Sequence, residues 1–549
     1  MLHAFSRGKP ISDDDFDGAH MERTAPGFFR SPRKLLGRLD ALFDRLYSSR
    51  YNPLYQSGPV VVALFVVLLA TGLYLLIFYR IGSPYASVAG IVDQVWLGRW
   101  IRSLHRFAAD AAIVATVVHA VRMLLRGRSW GPRALAWISG LILAGIFLVI
   151  GWTGFVMVWD VHGQALAVEG ARWLDALPVF GAPVSRAFIG EQPIPGAFFF
   201  LNYFLHIAMP LGVGLLLYIH VSRLARPKLM PPRGLTWGLT GLLSALAVAW
   251  PVPLAPAADP SLLPDAIPLD WFYAFWLPVT REMPAWTVLL AGAALGLAAL
   301  LVPLWTRPST DERPAPSWVN PQHCTGCEQC FVDCPYEAIS MVPRDDDRPY
   351  LVAEVDPAVC VSCGICAGSC APMGVGPPGR NGRDQVQRVR AYLDRRSPGA
   401  GEVVLVACVH GAGDLGGTER FGGAHVYPLS CVGSLHTTVV ELLLRGGAGG
   451  VMVAACPERD CWNREGPVWT EGRLFHDREA ELKERVDRRR VRLVHAGLGD
   501  RPKLARDLES FQRDVSALER AGRDQDLEFD LECEVPDREE IELKTGVRP

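Results

Sequence analysis

Four histidines lie where a polar side chain is costly. His105 and His119 are fourteen residues apart inside the apolar stretch Trp100–Leu124, and His206 and His220 repeat that spacing about a hundred residues later. At 100° per residue, fourteen steps return a side chain to within about 40° of its starting direction, and at ~1.5 Å per residue the two imidazoles stand about 21 Å apart along the axis. Each helix would then present one ligand near either face of a bilayer, a depth at which ionisable groups usually serve function. Two helices with ligands at two matched depths describe a pair of stacked haems, each iron held between two neutral imidazoles. Satisfied structural histidines, a proton relay or another metal explain the matched pairs less well.

The cysteines form a second constellation. Cys324-x-x-Cys327-x-x-Cys330-x-x-x-Cys334-Pro335 is followed by Cys360-x-x-Cys363-x-x-Cys366-x-x-x-Cys370. This repeated spacing is similar to that of bacterial two-cluster ferredoxins, in which each fourth cysteine serves the other cluster. The resemblance implies one [4Fe–4S] cluster on Cys324, Cys327, Cys330 and Cys370, and a second on Cys360, Cys363, Cys366 and Cys334. Short loops let three thiolates wrap one cube, and thiolate has the softness that iron–sulfur clusters require. Structural zinc is the competing reading. The proline usual after the last cysteine is displaced to Pro372 by Ala371. Further on, the apolar runs 403–408, 425–431 and 451–456 each end on a cysteine (Cys408, Cys431, Cys456), with Cys461 five residues later. Ligands in parallel sheets gather at the carboxyl ends of strands, so these four thiols can converge at one edge. They read either as inert buried cysteines or as ligands, and the eight cysteines upstream favour [2Fe–2S] over zinc. Cys533 reads as an ordinary thiol.

The elements that must position these groups divide the 549 residues into several domains. Residues 59–305 are dominated by apolar runs, whereas 306–549 are polar and hold all thirteen cysteines. With 55 basic against 57 acidic residues, bulk charge points to no nucleic-acid partner. The N-terminal residues lack a signal-peptide core, so no export of the polar half is expected, and clustered cysteines in such a chain suit metal better than disulfides. Residues 29–50 carry apolar positions at helical spacing with basic residues between them, as an interfacial amphipathic helix would. Six spans are expected, near 59–79, 104–124, 134–157, 197–221, 235–254 and 285–305. The loops with Arg122, Arg126, Arg128 and Arg133, and with Arg223, Arg226, Lys228 and Arg233, are the basic ones. The positive-inside rule therefore places them, both termini and the cysteine-rich half in the cytoplasm of a prokaryote, with His105 and His206 toward the outer face.

The segment Arg102-Ser-Leu-His105 to His119-Ala-Val-Arg122 resembles the second helix of cytochrome b from quinol:cytochrome c reductases and their photosynthetic relatives. The likeness covers roughly residues 45–305. It implies an outer haem b on His105 and His206, an inner haem b on His119 and His220, and propionate contacts from Arg102 and Arg122. It also implies a haem-packing role for the glycine pairs Gly58 and Gly72, and Gly140 and Gly154. At the quinone site the chain departs from the family: Val158-Trp159-Asp160 stands for Pro-Trp-Gly, and Pro268-Leu-Asp270-Trp271-Phe272-Tyr273 for Pro-Glu-Trp-Tyr. Asp270 is the candidate quinol proton acceptor, against a plain surface carboxylate. Residues 402–500 alternate strands with helical segments such as 434–445 and 470–488, an α/β unit with a mostly parallel sheet. This stretch resembles the delta subunit of methyl-viologen-reducing hydrogenase, although that family's first motif has more cysteines than Cys408-Val-His410 offers.

The expected organisation is multidomain. An N-terminal interfacial segment (1–50) precedes a di-haem four-helix domain (51–230) and two further transmembrane helices (231–306). A ferredoxin-like two-[4Fe–4S] domain (307–380), a small α/β parallel-sheet domain (395–500) and a charged tail of solvated helix and acidic residues (501–549) follow. The expected function is a membrane electron-transfer subunit of a quinone-linked oxidoreductase complex. It would link the quinone pool, through two b haems and iron–sulfur clusters, to a cytoplasmic hydrogenase- or heterodisulfide-reductase-like partner. Alternatives are a self-contained quinol:ferredoxin-type oxidoreductase and a redox-sensing or assembly scaffold. The cytochrome b likeness also implies a homodimer.

Overall fold

The computed structural model describes residues 30–532 other than 180–181, 189–193, 223, 262–269, 309–313, 347, 413–414, 416–417 and 477. Arg223, Pro268, Cys533 and the acidic tail fall outside the described residues. The chain divides into two compact units: Thr24–Arg313 with Pro335–Glu337, and the remainder.

In the first unit, five helices among the described residues are long and apolar enough to cross a membrane: Ser57–Phe78, Gly98–Leu125, Gly131–Val158, Gly196–Val221 and Ala285–Trp305. The segment expected as a further span at 235–254 is the 17-residue helix Arg233–Ala249. Pro231 and Pro232 precede it and Pro251 follows closely, and at ~1.5 Å per residue it reaches about 26 Å, shorter than the other spans. Ala108 and Ala112, one turn apart on Gly98–Leu125, are fully buried with Leu64, Phe147, Val213, Leu243 and Ala247. Small residues there let neighbouring backbones approach closely, as membrane helices require.

The helix expected at 29–50 is Arg30–Tyr51, with a break at Ser48 (φ 62°). Leu35, Leu39, Leu42 and Leu46 form an exposed stripe at helical spacing, while Asp40 on another face is buried. An apolar stripe without a protein partner beside basic residues is what an interfacial helix presents to lipid.

The second unit holds two small antiparallel ribbons, β1 (Trp318–Val319) with β4 (Val375–Gly376) and β2 (Ile339–Val342) with β3 (Val352–Val355). Beside them lie two one-turn helices, Gln329–Val332 and Ile365–Ser369, which carry Cys330 and Cys366. Helix Gly382–Arg395 then begins on a capping box formed by Asn381 and Asp384. A five-stranded sheet follows in the order β6-β7-β5-β8-β9. Strands β5 (Val403–Cys408), β7 (Ala424–Leu429), β8 (Gly450–Ala455) and β9 (Val491–His495) are parallel, and the short β6 (Arg420–Phe421) is antiparallel. The parallel strands are the apolar runs of the sequence.

Two local expectations change. The segment 470–488 is helical only within Gly466–Phe475. Beyond it, Leu482 is drawn into the core, its amide donates to the Arg473 carbonyl, and Thr437 donates to the carbonyls of Ala480 and Glu481. Tertiary contacts thus override the helical propensity of a charged stretch. The helix Arg501–Glu532, expected as solvated, buries Leu504, Leu508, Phe511 and Val515 completely against one sheet face. Their i, i+4, i+7, i+11 spacing makes one apolar stripe among many charges. Phe511→Ala is expected to destabilise this domain by about 3–5 kcal/mol, measured by denaturant unfolding.

Candidate haem and iron-sulfur centres

The four histidines meet in two pairs. The rings of His105 and His206 are 6.4 Å apart between centroids, and so are those of His119 and His220. Two metal–imidazole bonds of about 2.0–2.1 Å plus two ring radii of about 1.2 Å span ~6.4 Å. The pairs are therefore spaced to hold one metal ion between two ring nitrogens.

Around each ring the helices leave little room at the facing backbone position. A Cβ built on Gly58 would stand 3.0 Å from His119 Cε1, on Gly72 3.3 Å from His105 Cε1, on Gly140 3.0 Å from His220 Cε1, and on Gly154 3.0 Å from His206 Cε1. Each of these glycines follows a hydroxyl residue that meets the Nδ1 of the same ring. The contacts are Ser57 to His119 (3.2 Å), Thr71 to His105 (2.8 Å), Ser139 to His220 (3.1 Å) and Thr153 to His206 (3.1 Å). Thr71, Ser139 and Thr153 also donate to carbonyls one turn back in their own helices. Each hydroxyl that donates there is left to accept, which fixes Nδ1 as the N–H and leaves Nε2 free to ligate. The Ser/Thr-Gly dipeptide repeating every fourteen residues was visible in the sequence as Ser57-Gly58, Thr71-Gly72, Ser139-Gly140 and Thr153-Gly154, although only its glycines were singled out there.

In the second unit, Cys324, Cys327, Cys330 and Cys370 line one cavity together with Val319, Met341 and Val375. This crossed set is the one the ferredoxin spacing implies. Cys366 lies within electrostatic reach of Cys360 and Cys334, and Cys363 of Cys366 and Cys334. Backbone amides donate to the sulfurs: Ser317 and Ser362 to Cys360, Ala338 to Cys334 and Gly374 to Cys370, at 3.2–3.4 Å. Burial pushes the Cys366 thiol up to about 12, and a bound cation would favour its thiolate.

Cys408, Cys431, Cys456 and Cys461 converge, all buried, at the carboxyl edge of the parallel sheet. Cys408 and Cys456 sulfurs are 3.5 Å apart, and the Cys431 thiol is hydrogen-bonded with that of Cys461. Two thiolates bound at ~2.3 Å to one tetrahedral metal stand about 3.8 Å apart. Among the described residues no group of three or more His, Cys, Asp or Glu is arranged for a single metal ion; the Cys461 thiol also bonds that of Cys456, so the four thiols form one linked group. Trp462 stacks on His410 at 4.4 Å beside them.

Comparison with known proteins follows the same divisions. Residues 42–227 match the family Cytochrome b/b6/petB. Cytochrome b6 of Synechococcus elongatus is 28% identical over 193 residues, 34% of this chain and 90% of that protein; the one from Mastigocladus laminosus is 27% identical over 208 residues, 37% and 97%. This chain carries a cytochrome b domain. Residues 323–374 match the 4Fe-4S dicluster domain, and 403–519 the delta subunit of methyl-viologen-reducing hydrogenase. A solved structure titled Hyperthermophilic respiratory Complex III aligns over 47% of this chain and 78% of its own, at 16% identity and a TM-score of 0.39. The cytochrome b domain implies haem b and the dicluster domain implies iron–sulfur clusters. The protein is a multi-pass membrane protein of the electron-transfer class.

The remaining candidate residues of the cytochrome b domain are engaged. Arg102 donates to the carbonyls of Val252 (2.8 Å) and Pro253 (3.5 Å). Arg122 is buried and bidentate to Asp40, at 2.6 and 3.1 Å. Asp40 could not be singled out in sequence, since either acidic residue of this basic amphipathic helix, Asp40 or Asp44, reads as solvated. Asp160, in place of the family's glycine, caps helix Val161–Asp175 by accepting from His162 and Gly163. Asp270 accepts from the backbone of Phe272, Tyr273 and Ala274 and pairs with Arg106. Burial would raise its carboxyl, but the Tyr273 amide and the Arg106 guanidinium outweigh that and hold it below the usual carboxylate range. Tyr273 completes the group: its hydroxyl donates to Ala109, and its ring fills the space a Cβ on Gly151 would need.

Proposed function

We propose that this chain is the membrane electron-transfer subunit of a quinone-linked oxidoreductase complex, connecting the quinone pool to a low-potential cytoplasmic partner of the hydrogenase or heterodisulfide-reductase type. The observation that carries this reading is the paired imidazole geometry, two rings 6.4 Å apart at each of two depths, in a chain continuous with dicluster and hydrogenase-delta-like domains. His105 and His206 hold the outer haem b, and His119 and His220 the inner one. Gly58, Gly72, Gly140 and Gly154 leave room for them. Arg102 would meet a propionate by redirecting donors now given to Val252 and Pro253, and Arg122 would meet one while keeping its pair with Asp40. Cys324, Cys327, Cys330 and Cys370 hold one [4Fe–4S] cluster, and Cys360, Cys363, Cys366 and Cys334 the other. The four converging thiols Cys408, Cys431, Cys456 and Cys461 supply the ligand count of a [2Fe–2S] cluster. When bound, these groups exchange single electrons at potentials that the protein tunes by ligand, hydrogen bond and burial. Both termini lie in the cytoplasm.

Purified protein should contain about two b haems by pyridine haemochrome and about ten cluster irons. One haem, or iron near zero, would refute the wiring. Co-purification of a flavin- or metal-containing soluble subunit would support the partner reading against a self-contained oxidoreductase; electron flow from quinol to ferredoxin in the isolated chain would favour the latter.

Asp270 is the carboxylate proposed to take the quinol proton. Asp270→Asn keeps a side-chain oxygen for the amides of the following turn while removing the base and the ion pair with Arg106. Quinol-dependent haem reduction should fall by about 10²–10³, with the haem spectrum unchanged. An unaltered rate would leave Asp270 as a cap alone.

A further inference from the structure

The dicluster module and the α/β domain belong to one compact unit, and the backbone loops bearing their cysteines touch. A Cβ on Gly364, within Cys363-Gly-Ile-Cys366, would stand 2.9 Å from Ser434 Cβ. One on Gly433 would meet Gly466 Cα at 2.5 Å and Ile365 Cγ1 at 2.9 Å, and one on Gly466 would meet Cys431 Sγ at 3.0 Å. Only glycine allows so close an approach of the Cys363–Cys366 loop to the Cys431 loop.

Arg380 bridges the two loops. One guanidinium nitrogen donates to Ser430 Oγ at 3.1 Å, next to Cys431. Another donates to the carbonyl (3.0 Å) and the hydroxyl (2.6 Å) of Ser362, which lies between Cys360 and Cys363. Its charge acts on Cys363, Cys431 and Cys366 together. On the far side of the junction, Arg473 is fully buried and donates to Ser369 Oγ (3.0 Å) and the Gly433 carbonyl (2.8 Å). Asp333 balances that charge at 3.8 Å and also receives Arg478 at 2.6 Å.

We propose that Arg380 is the positioning residue of an inter-cluster junction. The cluster on Cys360, Cys363, Cys366 and Cys334 is then the direct neighbour of the four-thiol centre, and the one on Cys324, Cys327, Cys330 and Cys370 is the distal member of the relay. This order rests on the functional reading above, in which the four thiols hold a cluster. The step it serves is transfer of one electron between adjacent clusters, oxidising one and reducing the other, with no bond or proton moved. A fixed guanidinium between two anionic centres favours the reduced form of both and holds their loops in register.

The test is a dithionite redox titration of the full-length protein followed by EPR, with Cys327→Ser identifying the distal signal. In Arg380→Gln, the neighbouring [4Fe–4S] cluster and the four-thiol centre should each become about tenfold harder to reduce, ~59 mV for one electron, while the distal cluster stays put. Arg380→Lys should restore much of that shift by returning the charge without the fork, and it separates an electrostatic effect from misfolding. No shift in Arg380→Gln, or an equal shift at all three centres, would overturn the junction. A wild type without redox-active iron at the four thiols would overturn it as well, and iron counting would trace that failure to the third cluster rather than to Arg380.

Discussion

His206→Leu is expected to leave the protein with one b haem of two, the remaining one on His119 and His220. Each pair has its own supports on different turns of the helices: Thr71, Gly72, Thr153 and Gly154 for one, Ser57, Gly58, Ser139 and Gly140 for the other. Losing one imidazole leaves its partner His105 facing leucine, which gives iron no sixth ligand. The haemochrome should fall by about half, the low-spin bis-imidazole EPR signal of one centre should vanish, and quinol-driven reduction of the iron–sulfur clusters should stop. Retention of both haems would mean that His206 is not a ligand.

Asp40→Ala should be among the most damaging changes outside the proposed ligands. It removes the carboxylate that meets Arg122 at 2.6 and 3.1 Å in a site where both side chains are almost fully buried. Breaking such a pair from one side costs about 3–5 kcal/mol, because a buried guanidinium loses its compensating charge. The helix bearing Asp40 should loosen from Gly98–Leu125, where the part-buried Arg33 also reaches the Leu125 carbonyl at 2.6 Å. Thermal bleaching of the haem should move to lower temperature. The double change Asp40→Leu with Arg122→Leu should recover much of the lost unfolding stability, as apolar replacement of a whole buried pair usually does, although the haem loses the propionate contact proposed for Arg122. If the double variant is no better than the single one, the damage lies elsewhere than in the unpaired charge.

Periodicity carried most of the fold because ligands and core residues sit on regular elements. The fourteen-residue histidine spacing, the matched glycines and the apolar runs of the parallel sheet follow from helix and strand periods, which sequence displays directly. The crossed cysteine sets were expected from the likeness to two-cluster ferredoxins, whose spacing the sequence displays. What was missed depends on contacts between distant segments. Asp40 finds Arg122 across 82 residues, Arg473 finds Asp333 across 140, and nothing local marks any of them. Leu482 abandons a helical pattern for the same kind of reason. The stripe Leu504, Leu508, Phe511 and Val515 was present in the sequence but was hidden by the charges around it.

The contact between glycine and imidazole also inverts a common rule of protein stabilisation. Replacing helix glycines by alanine ordinarily adds about 0.5–1 kcal/mol by trimming the freedom of the unfolded chain. At Gly58, Gly72, Gly140 and Gly154 the added methyl would press on an imidazole at 3.0–3.3 Å. Within these spans, then, helix propensity and cofactor housing are opposed. A search for a more heat-resistant form of this protein should look to its soluble helices and leave these four positions flexible.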